Sequence, residues 1–287
     1  MKRFDSLDLT KLTDEELHDE FKSMENDFLK HYRLIRYGLV THSIGTNLIL
    51  KRWLQDWLDD KSGAIYSKLV SGLPENKTIS TNNAMVKLAK SAREDPPVLE
   101  TLRRMPPREF VGELETNPQL RQFHQKFHEF LKEYGHRSHT REMYFPRWAD
   151  DPSLVVDVLK SIIASPDLDV DKLEREKADE RIAAEKAALE AVSKLKWRFL
   201  RKMAFKTVLK YAQTYLMFRE NQRFYLDHTI YRQRRLFMEY ARRFVERHII
   251  DSKDDIHFLS KEEIFRVSRK ELTISREAIR QRRIEFE

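Results

Sequence analysis

Apolar residues recur at helical spacing along almost the whole chain. Leu17, Phe21, Met24, Phe28 and Leu29 predict a helix that buries one stripe. Thr13-Asp14-Glu15-Glu16 opens it as a capping box, in which hydroxyl and carboxylate satisfy the first free amides. After Gly38 a second apolar segment runs from Leu48-Ile49-Leu50 through Trp53, Leu54 and Trp57 to Asp59-Asp60-Lys61-Ser62-Gly63. A short helix is expected around Ile65–Leu69, before Ser71-Gly72-Leu73-Pro74. Thr81 or Asn82 can cap the next helix, with Met85, Leu88 and Ala89 inward and Asp95-Pro96-Pro97 as its stop. Met105-Pro106-Pro107 and Asn117-Pro118 bound two further short pieces. Leu120–Tyr134 carries Phe123, Phe127, Phe130 and Leu131 on one side and closes at Gly135, where a left-handed C-cap is expected.

Gly135 to Asp151, GHRSHTREMYFPRWADD, is the one sizeable stretch without helical period. Pro152–Ile163 then reads as helix and Ser165-Pro166-Asp167 as a turn. Two long helices are expected after it, roughly Asp171–Tyr215 and Phe218–Ile249. A polar loop (Asp251–Asp255), a second capping box (Ser260 with Glu263) and a charged helix over Arg269–Glu287 complete the chain. No strand pattern or internal repeat is present. The expectation is an all-α protein, a single irregular helical domain over 1–287 with a long antiparallel hairpin in its C-terminal half. A subdivision into 1–135 and 136–287 is compatible with the pattern.

Composition narrows the class. Of 287 residues only six are glycine, none after Gly135, and none of the nine prolines follows Pro166. A run this long without either residue excludes a series of tight turns or phosphate-cradling loops, and with them a Rossmann domain, a P-loop enzyme or a β-barrel. There is no cysteine, which removes disulfides, thiolate chemistry and cysteine-held metals. No apolar run approaches the ~18 residues of a membrane span, and the charged opening MKRFDSLDLT is no signal peptide. A cytoplasmic protein without a membrane partner is expected. The net charge of +7 invites an anionic partner.

Four constellations could carry chemistry. His124 and His128 stand four apart on one helix, but the residues between them lack the glutamate of zinc-protease pairs; no metal site is expected. In the Gly135–Asp151 loop, His136, Arg137, His139, Arg141 and Arg147 crowd with Tyr144, Phe145 and Trp148. The histidines could act as bases and the arginines hold an anion; alternatively the segment is a connector tied down by its aromatics. In YLMFRENQRFYLD, Tyr215 to Asp227, Arg219 and Arg223 are helix-face neighbours. They could grip a phosphate with their guanidinium forks, or Arg223 could simply pair with Asp227. Arg232, Arg234, Arg235, Arg242, Arg243 and Arg247 could form a nucleic-acid stripe, but Glu239 and Glu246 interrupt it and no nucleic-acid motif accompanies it.

Several segments, in order, resemble the central helical domain of the phosphoenolpyruvate-synthase-like phosphotransferases, the group containing rifampicin phosphotransferase and phenylphosphate synthase. They are Thr78-Ile79-Ser80-Thr81-Asn82-Asn83-Ala84, Tyr134-Gly135-His136-Arg137-Ser138 leading to Pro146-Arg147-Trp148 and Asp150-Asp151-Pro152, Phe218-Arg219-Glu220 to Arg223-Phe224, and Asp254 to Glu263. The resemblance implies a division of labour. An ATP-binding domain phosphorylates a histidine on a swivelling domain, which carries the phosphoryl group to an acceptor held by the helical domain. No glycine pair precedes Ser138-His139, so His139 does not match the carrier histidine. The glycine-rich ATP site is likewise absent, which leaves ATP and magnesium to a partner domain or subunit.

On that resemblance Arg219 and Arg223 are the basic pair beside the travelling phosphoryl group. His136 or His139 is the candidate base, and Arg137, Arg141, Tyr144, Phe145, Trp148 and Tyr215 are candidate acceptor contacts. The aromatic set would suit an apolar or phenolic acceptor. The implied function is the acceptor-binding component of a phosphohistidine-mediated phosphotransferase, inactive alone. The alternatives are a non-catalytic helical scaffold derived from that family and a basic nucleic-acid-binding protein.

Overall fold

A computed structural model describes residues 2–34, 39–165 and 169–286. Gly38, and Pro166 and Asp167 of the expected turn, lie outside them. The described residues form thirteen α-helices and short 3-10 turns and no strand, so the chain is all-α as its periodicity predicts. In chain order the helices are α1 (Lys2–Asp5), α2 (Asp14–Leu34), α3 (Val40–Leu58), α4 (Ala64–Leu69), α5 (Lys77–Arg93), α6 (Pro96–Arg104) and α7 (Pro107–Thr116). α8 (Arg121–Tyr134), α9 (Ser153–Ile163), α10 (Val170–Val192), α11 (Arg198–Glu246), α12 (Lys261–Ser268) and α13 (Arg276–Phe286) follow.

The chain forms two compact units, each discontinuous in sequence: unit 1, Met1–His31, His136–Asp150 and Leu226–Glu287, and unit 2, Tyr32–Gly135 and Asp151–Tyr225. In unit 1, Leu17 and Phe21 of α2 pack with Leu236, Phe237, Tyr240 and Phe244 of α11 and with Ile264 and Phe265 of α12. In unit 2, Leu50 and Leu54 of α3 and Leu69 of α4 share a core with Ala188 and Val192 of α10 and with Phe205, Leu209 and Ala212 of α11. Helices α5, α7, α8 and α9 pack together in the same unit, burying Phe110, Phe123, Val155 and Leu159.

Both capping boxes form. Thr13 N donates to Glu16 Oε2 at 2.7 Å and Glu16 N to Thr13 Oγ1 at 3.2 Å; Ser260 and Glu263 make the same exchange. Four local expectations are corrected. The helical break of the C-terminal half falls at Ser193–Trp197, and Tyr215–Phe218 is continuous helix. The cap of α5 is Asn76, whose side chain accepts from Thr78 N and Ile79 N, so Thr81 and Asn82 are interior. Asn221 of α11 completes that corner, accepting from Lys77 N and donating to Glu75 O, both at 2.8 Å. Gly135 caps α8 in the right-handed region, φ −61°, its N–H still bonded to Leu131 O. Arg269–Glu287 is helical only from Arg276, because Lys270 at φ 62° turns the chain, with Glu271 N donating to Arg266 O.

Candidate functional site

In unit 2 the middle of α11 presents Tyr211, Tyr215, Phe218, Arg219 and Arg223. Side chains three and four apart share a helix face, so Tyr215 leads to Arg219 and Arg219 to Arg223. Arg219 is about half exposed, its Nη2 3.1 Å from the carboxylate of adjacent Glu220. Arg223 is exposed, and no ion pair to it is found among the described residues. Asp227, its expected i,i+4 partner, is instead buried and held by Arg137. The Tyr215 ring is half-buried and lies 5.2 Å from the imidazole of His42 and 5.9 Å from the Tyr211 ring.

A polar cluster from α3 and α4 belongs to the same region. Asn47 donates to Ser43 O at 2.8 Å and to Ala212 O of α11 at 3.3 Å, while its Oδ1 accepts from the Tyr66 hydroxyl at 2.9 Å. Burial raises the Tyr66 phenol pKa, and the positive field of Arg219 opposes the rise, which places Arg219 within electrostatic reach of this hydroxyl. Ser43 is 1% exposed and its Oγ has no hydrogen-bond partner among the described residues. An unpaired hydroxyl in a packed interior is uncommon. The sequence pattern does not single out His42, Ser43, Asn47 or Tyr66. Their one signal is the polar set His42-Ser43 and Asn47 on an otherwise apolar helix face.

The loop residues His136, Arg137, His139, Arg141, Tyr144, Phe145 and Trp148 belong to unit 1. His136 is buried and stacks on His228 at 3.5 Å between ring centroids, 15° from parallel. Arg137 Nη1 lies 3.2 Å from Asp227 Oδ2, both largely out of water, and Arg137 O accepts from Trp148 N. Arg147 is fully buried and donates to the carbonyls of Thr140 and Glu142 at 2.8 and 3.1 Å. Arg234 of α11 binds Asp150 at 2.8 Å and the carbonyls of Met143 and Tyr144. Tyr144 packs against His257, Phe258 and Phe145. His139 and Arg141 remain exposed, the imidazole edge-on to Phe145. The structure thus gathers His139, Phe145 and Tyr144, and uses Arg137 and Arg147 to hold the loop.

Burial, with Arg232 nearby, pushes His228 down to about 4; burial, with Arg234, does the same to His257. The remaining arginines of the expected stripe face inward or pair. Arg232 binds Asp5, and Arg243 binds Glu239, Asp14 and the carbonyls of Leu9 and Leu12. Arg242 bridges Glu239 and Glu246, and Arg247 binds Asp14. Among the described residues no group of three or more His, Asp, Glu or Cys side chains is placed to hold a metal ion, and no helix is long and apolar enough to cross a membrane.

The rifampicin phosphotransferase fourth domain matches residues 37–220, nearly two thirds of the chain, a range that takes in most of unit 2 and the loop. A prodigiosin-synthesising transferase of Serratia marcescens is 26% identical over 88% of this chain and 28% of its own length. Rifampicin phosphotransferase of Bacillus subtilis is 22% identical over 80% of this chain and 27% of its own length. That of Streptomyces sviceus is 25% identical over 93% and 31%. The chain therefore spans between about a quarter and a third of the length of these three relatives. With its ordered motifs, its all-helical architecture and this match over most of its length, the chain belongs to the rifampicin phosphotransferase fourth-domain family, a helical domain of the phosphotransferases related to phosphoenolpyruvate synthase.

Proposed function

We propose that this chain is the acceptor-binding component of an ATP-dependent, phosphohistidine-mediated phosphotransferase acting on a hydroxyl group. The observation that carries the reading is the match of residues 37–220 to one domain of a longer phosphotransferase. ATP, magnesium and the phosphohistidine would belong to partner domains or subunits.

In this scheme the N–P bond of the phosphohistidine breaks, a P–O bond forms to the acceptor, and the acceptor proton passes to a base. A loose phosphoryl transition state needs charge neutralisation and alignment more than covalent help from the protein. Arg219 and Arg223, adjacent on one exposed helix face, supply the neutralisation. The Tyr215 ring offers a platform for an aromatic, phenolic acceptor. His136 and His139, the bases suggested by the loop, belong to unit 1; His136 is buried against His228. His42 is the histidine beside Tyr215 in unit 2, and we assign it the proton. The arginines of 232–247 are engaged within unit 1, which leaves the nucleic-acid reading without its stripe.

A thermal-shift screen of hydroxylated aromatic compounds should find acceptors that raise the melting temperature of the wild-type chain. With such an acceptor and the ATP-binding and phosphohistidine components, the Arg219→Ala, Arg223→Ala variant should lose on the order of 100-fold or more in transfer rate, while still binding acceptor. Full activity of that variant removes the assigned roles. Acceptor binding without transfer by any version of the chain supports the scaffold alternative.

A further inference from the structure

The turn between α10 and α11 and the first turns of α11 carry an exposed apolar patch inside a field of positive charge. Trp197 is 68% exposed, Phe199 77%, Leu200 54% and Met203 55%. At about 100° per residue, Phe199, Leu200 and Met203 fall within one arc of roughly 100°, and Phe205, Leu209 and Ala212, which enter the core, lie on the opposite side. The patch is therefore a second apolar face on a helix whose first is already buried.

No Asp or Glu occurs between Glu190 and Glu220. Lys194, Lys196, Arg198, Lys202, Lys206 and Lys210 in this interval are all exposed, and none makes an ion pair among the described residues. Trp197 holds a left-handed backbone, φ 60°, a conformation unfavourable for a bulky residue. Its carbonyl accepts from Arg201 N in the first turn of α11.

We propose that this corner docks onto an anionic lipid surface, with Trp197, Phe199, Leu200 and Met203 entering the headgroup–acyl boundary and the basic side chains meeting the phosphates. Aromatic and aliphatic side chains flanked by lysine and arginine are the composition of interfacial helices, and each basic residue near an anionic leaflet adds attraction. Five of the six exposed basic residues are lysine, a type depleted in protein–protein interfaces, which favours a lipid surface over a protein one. Such docking is peripheral and needs no spanning helix. It is independent of the proposed phosphoryl transfer, since neither Arg219 nor Arg223 takes part.

The test is co-sedimentation of the full chain with vesicles of phosphatidylcholine alone and of phosphatidylcholine with about a third phosphatidylserine, together with tryptophan emission. The expected result is binding to the anionic vesicles only, weakened by salt, with a blue shift that Trp197→Phe abolishes. Trp197→Ala, Phe199→Ala, Leu200→Ala together should weaken binding on the order of tenfold or more, as should Lys194→Glu, Lys196→Glu, Lys202→Glu. All six side chains are exposed, so unchanged circular dichroism is expected of both variants. Failure to bind at low salt overturns the proposal, as does equal binding to phosphatidylcholine. Binding untouched by the apolar triple shows general cation attraction and overturns it too. A concentration-dependent dimer lost in that triple, without vesicle binding, would make the patch a contact between two copies instead.

Discussion

Arg147 offers a direct test of how the loop is held. It is completely buried, and its guanidinium group donates to the carbonyls of Thr140 at 2.8 Å and Glu142 at 3.1 Å, with Arg141 O at 3.4 Å. Burial lowers its pKa, while the carboxylates of Asp227 and Asp150 act the other way. Hydrogen bonds to a charged group contribute about 1.5–3 kcal/mol each, and a buried carbonyl left without a partner costs about 1–3 kcal/mol. Arg147→Met keeps most of the side-chain volume and removes both good bonds. The expected loss is about 3–5 kcal/mol, the range found when one member of a buried charged set is removed. Against a usual total of about 5–15 kcal/mol this is a large fraction. It corresponds to a drop on the order of 10 °C or more in the melting temperature of unit 1. Arg147→Lys retains the charge but loses the fork and should fall between. Urea unfolding followed by far-ultraviolet circular dichroism gives the magnitude, and the rate of tryptic cleavage after exposed Arg141 reports the loop. If Arg147→Met lies within about 1 kcal/mol of wild type and cleavage is no faster, the loop is held by something other than this side chain.

Two further outcomes follow from local geometry. Gly72 stands at φ 55°, and a Cβ there would lie 2.6 Å from the carbonyl carbon of Lys177 on α10; Gly72→Ala should cost about 2–4 kcal/mol in urea denaturation. Gly45 and Gly112 are helical, and an added methyl group at either would meet nothing within 4 Å. Gly45→Ala and Gly112→Ala should therefore each gain about 0.5–1 kcal/mol, and a reversed order would show that the close approach of α10 is misplaced. His228 and His257 are pushed down to about 4 in the folded chain, whereas an unfolded histidine titrates near 6.5. The unfolded state therefore binds more protons between these values, so the stability tied to keeping both neutral is full above about 6.5 and fades as pH falls toward 4. Urea midpoints should decline between pH 6.5 and 5, above the usual carboxylate range, and an undiminished decline in the His228→Asn, His257→Asn variant would remove these two as its source.

The local chemistry of helix starts is legible in sequence because it is short-range. Thr13 with Glu16 and Ser260 with Glu263 satisfy their own neighbours, and no distant residue is needed. The cap of α5 is equally local, Asn76 accepting from Thr78 N and Ile79 N; what short-range rules do not show is Asn221 on α11, which binds the flanking backbone. Helix ends in the glycine-free half are hard to see for a related reason. Trp197, His248 and Lys270 take positive φ, where sequence rules expect glycine or asparagine. Packing of Val192 and Phe205 into one core and bonds such as Ile249 N to Phe244 O hold the chain in turns its composition disfavours. At the site, Arg219, Arg223 and Tyr215 are visible as a helix-face pattern. His42, beside the Tyr215 ring, and Asn47, bonded to Ala212 O, come from another helix, and only packing brings them to α11.

Helix α11 shows why net charge alone is a poor guide to partners. In the stretch that belongs to unit 1, Arg232, Arg234 and Arg243 are buried and each grips more than one oxygen: the Asp5 carboxylate, Asp150 with two loop carbonyls, and Asp14 with Glu239. A planar fork with several donors can do this and an ammonium cannot. In the stretch that belongs to unit 2, the exposed cations near the start of the helix are mostly lysines with no acidic residue nearby in sequence. The arginines thus act as internal fasteners whose charge is neutralised at short range. The lysines keep a hydrated, uncompensated charge that can be felt by an approaching anion. The surplus of +7, an excess of 54 Lys and Arg over 47 Asp and Glu, does not say which cations are already paired. Sequence density draws the eye to the arginines of 232–247, but Arg223 and the lysines around Trp197 are exposed and make no ion pair among the described residues.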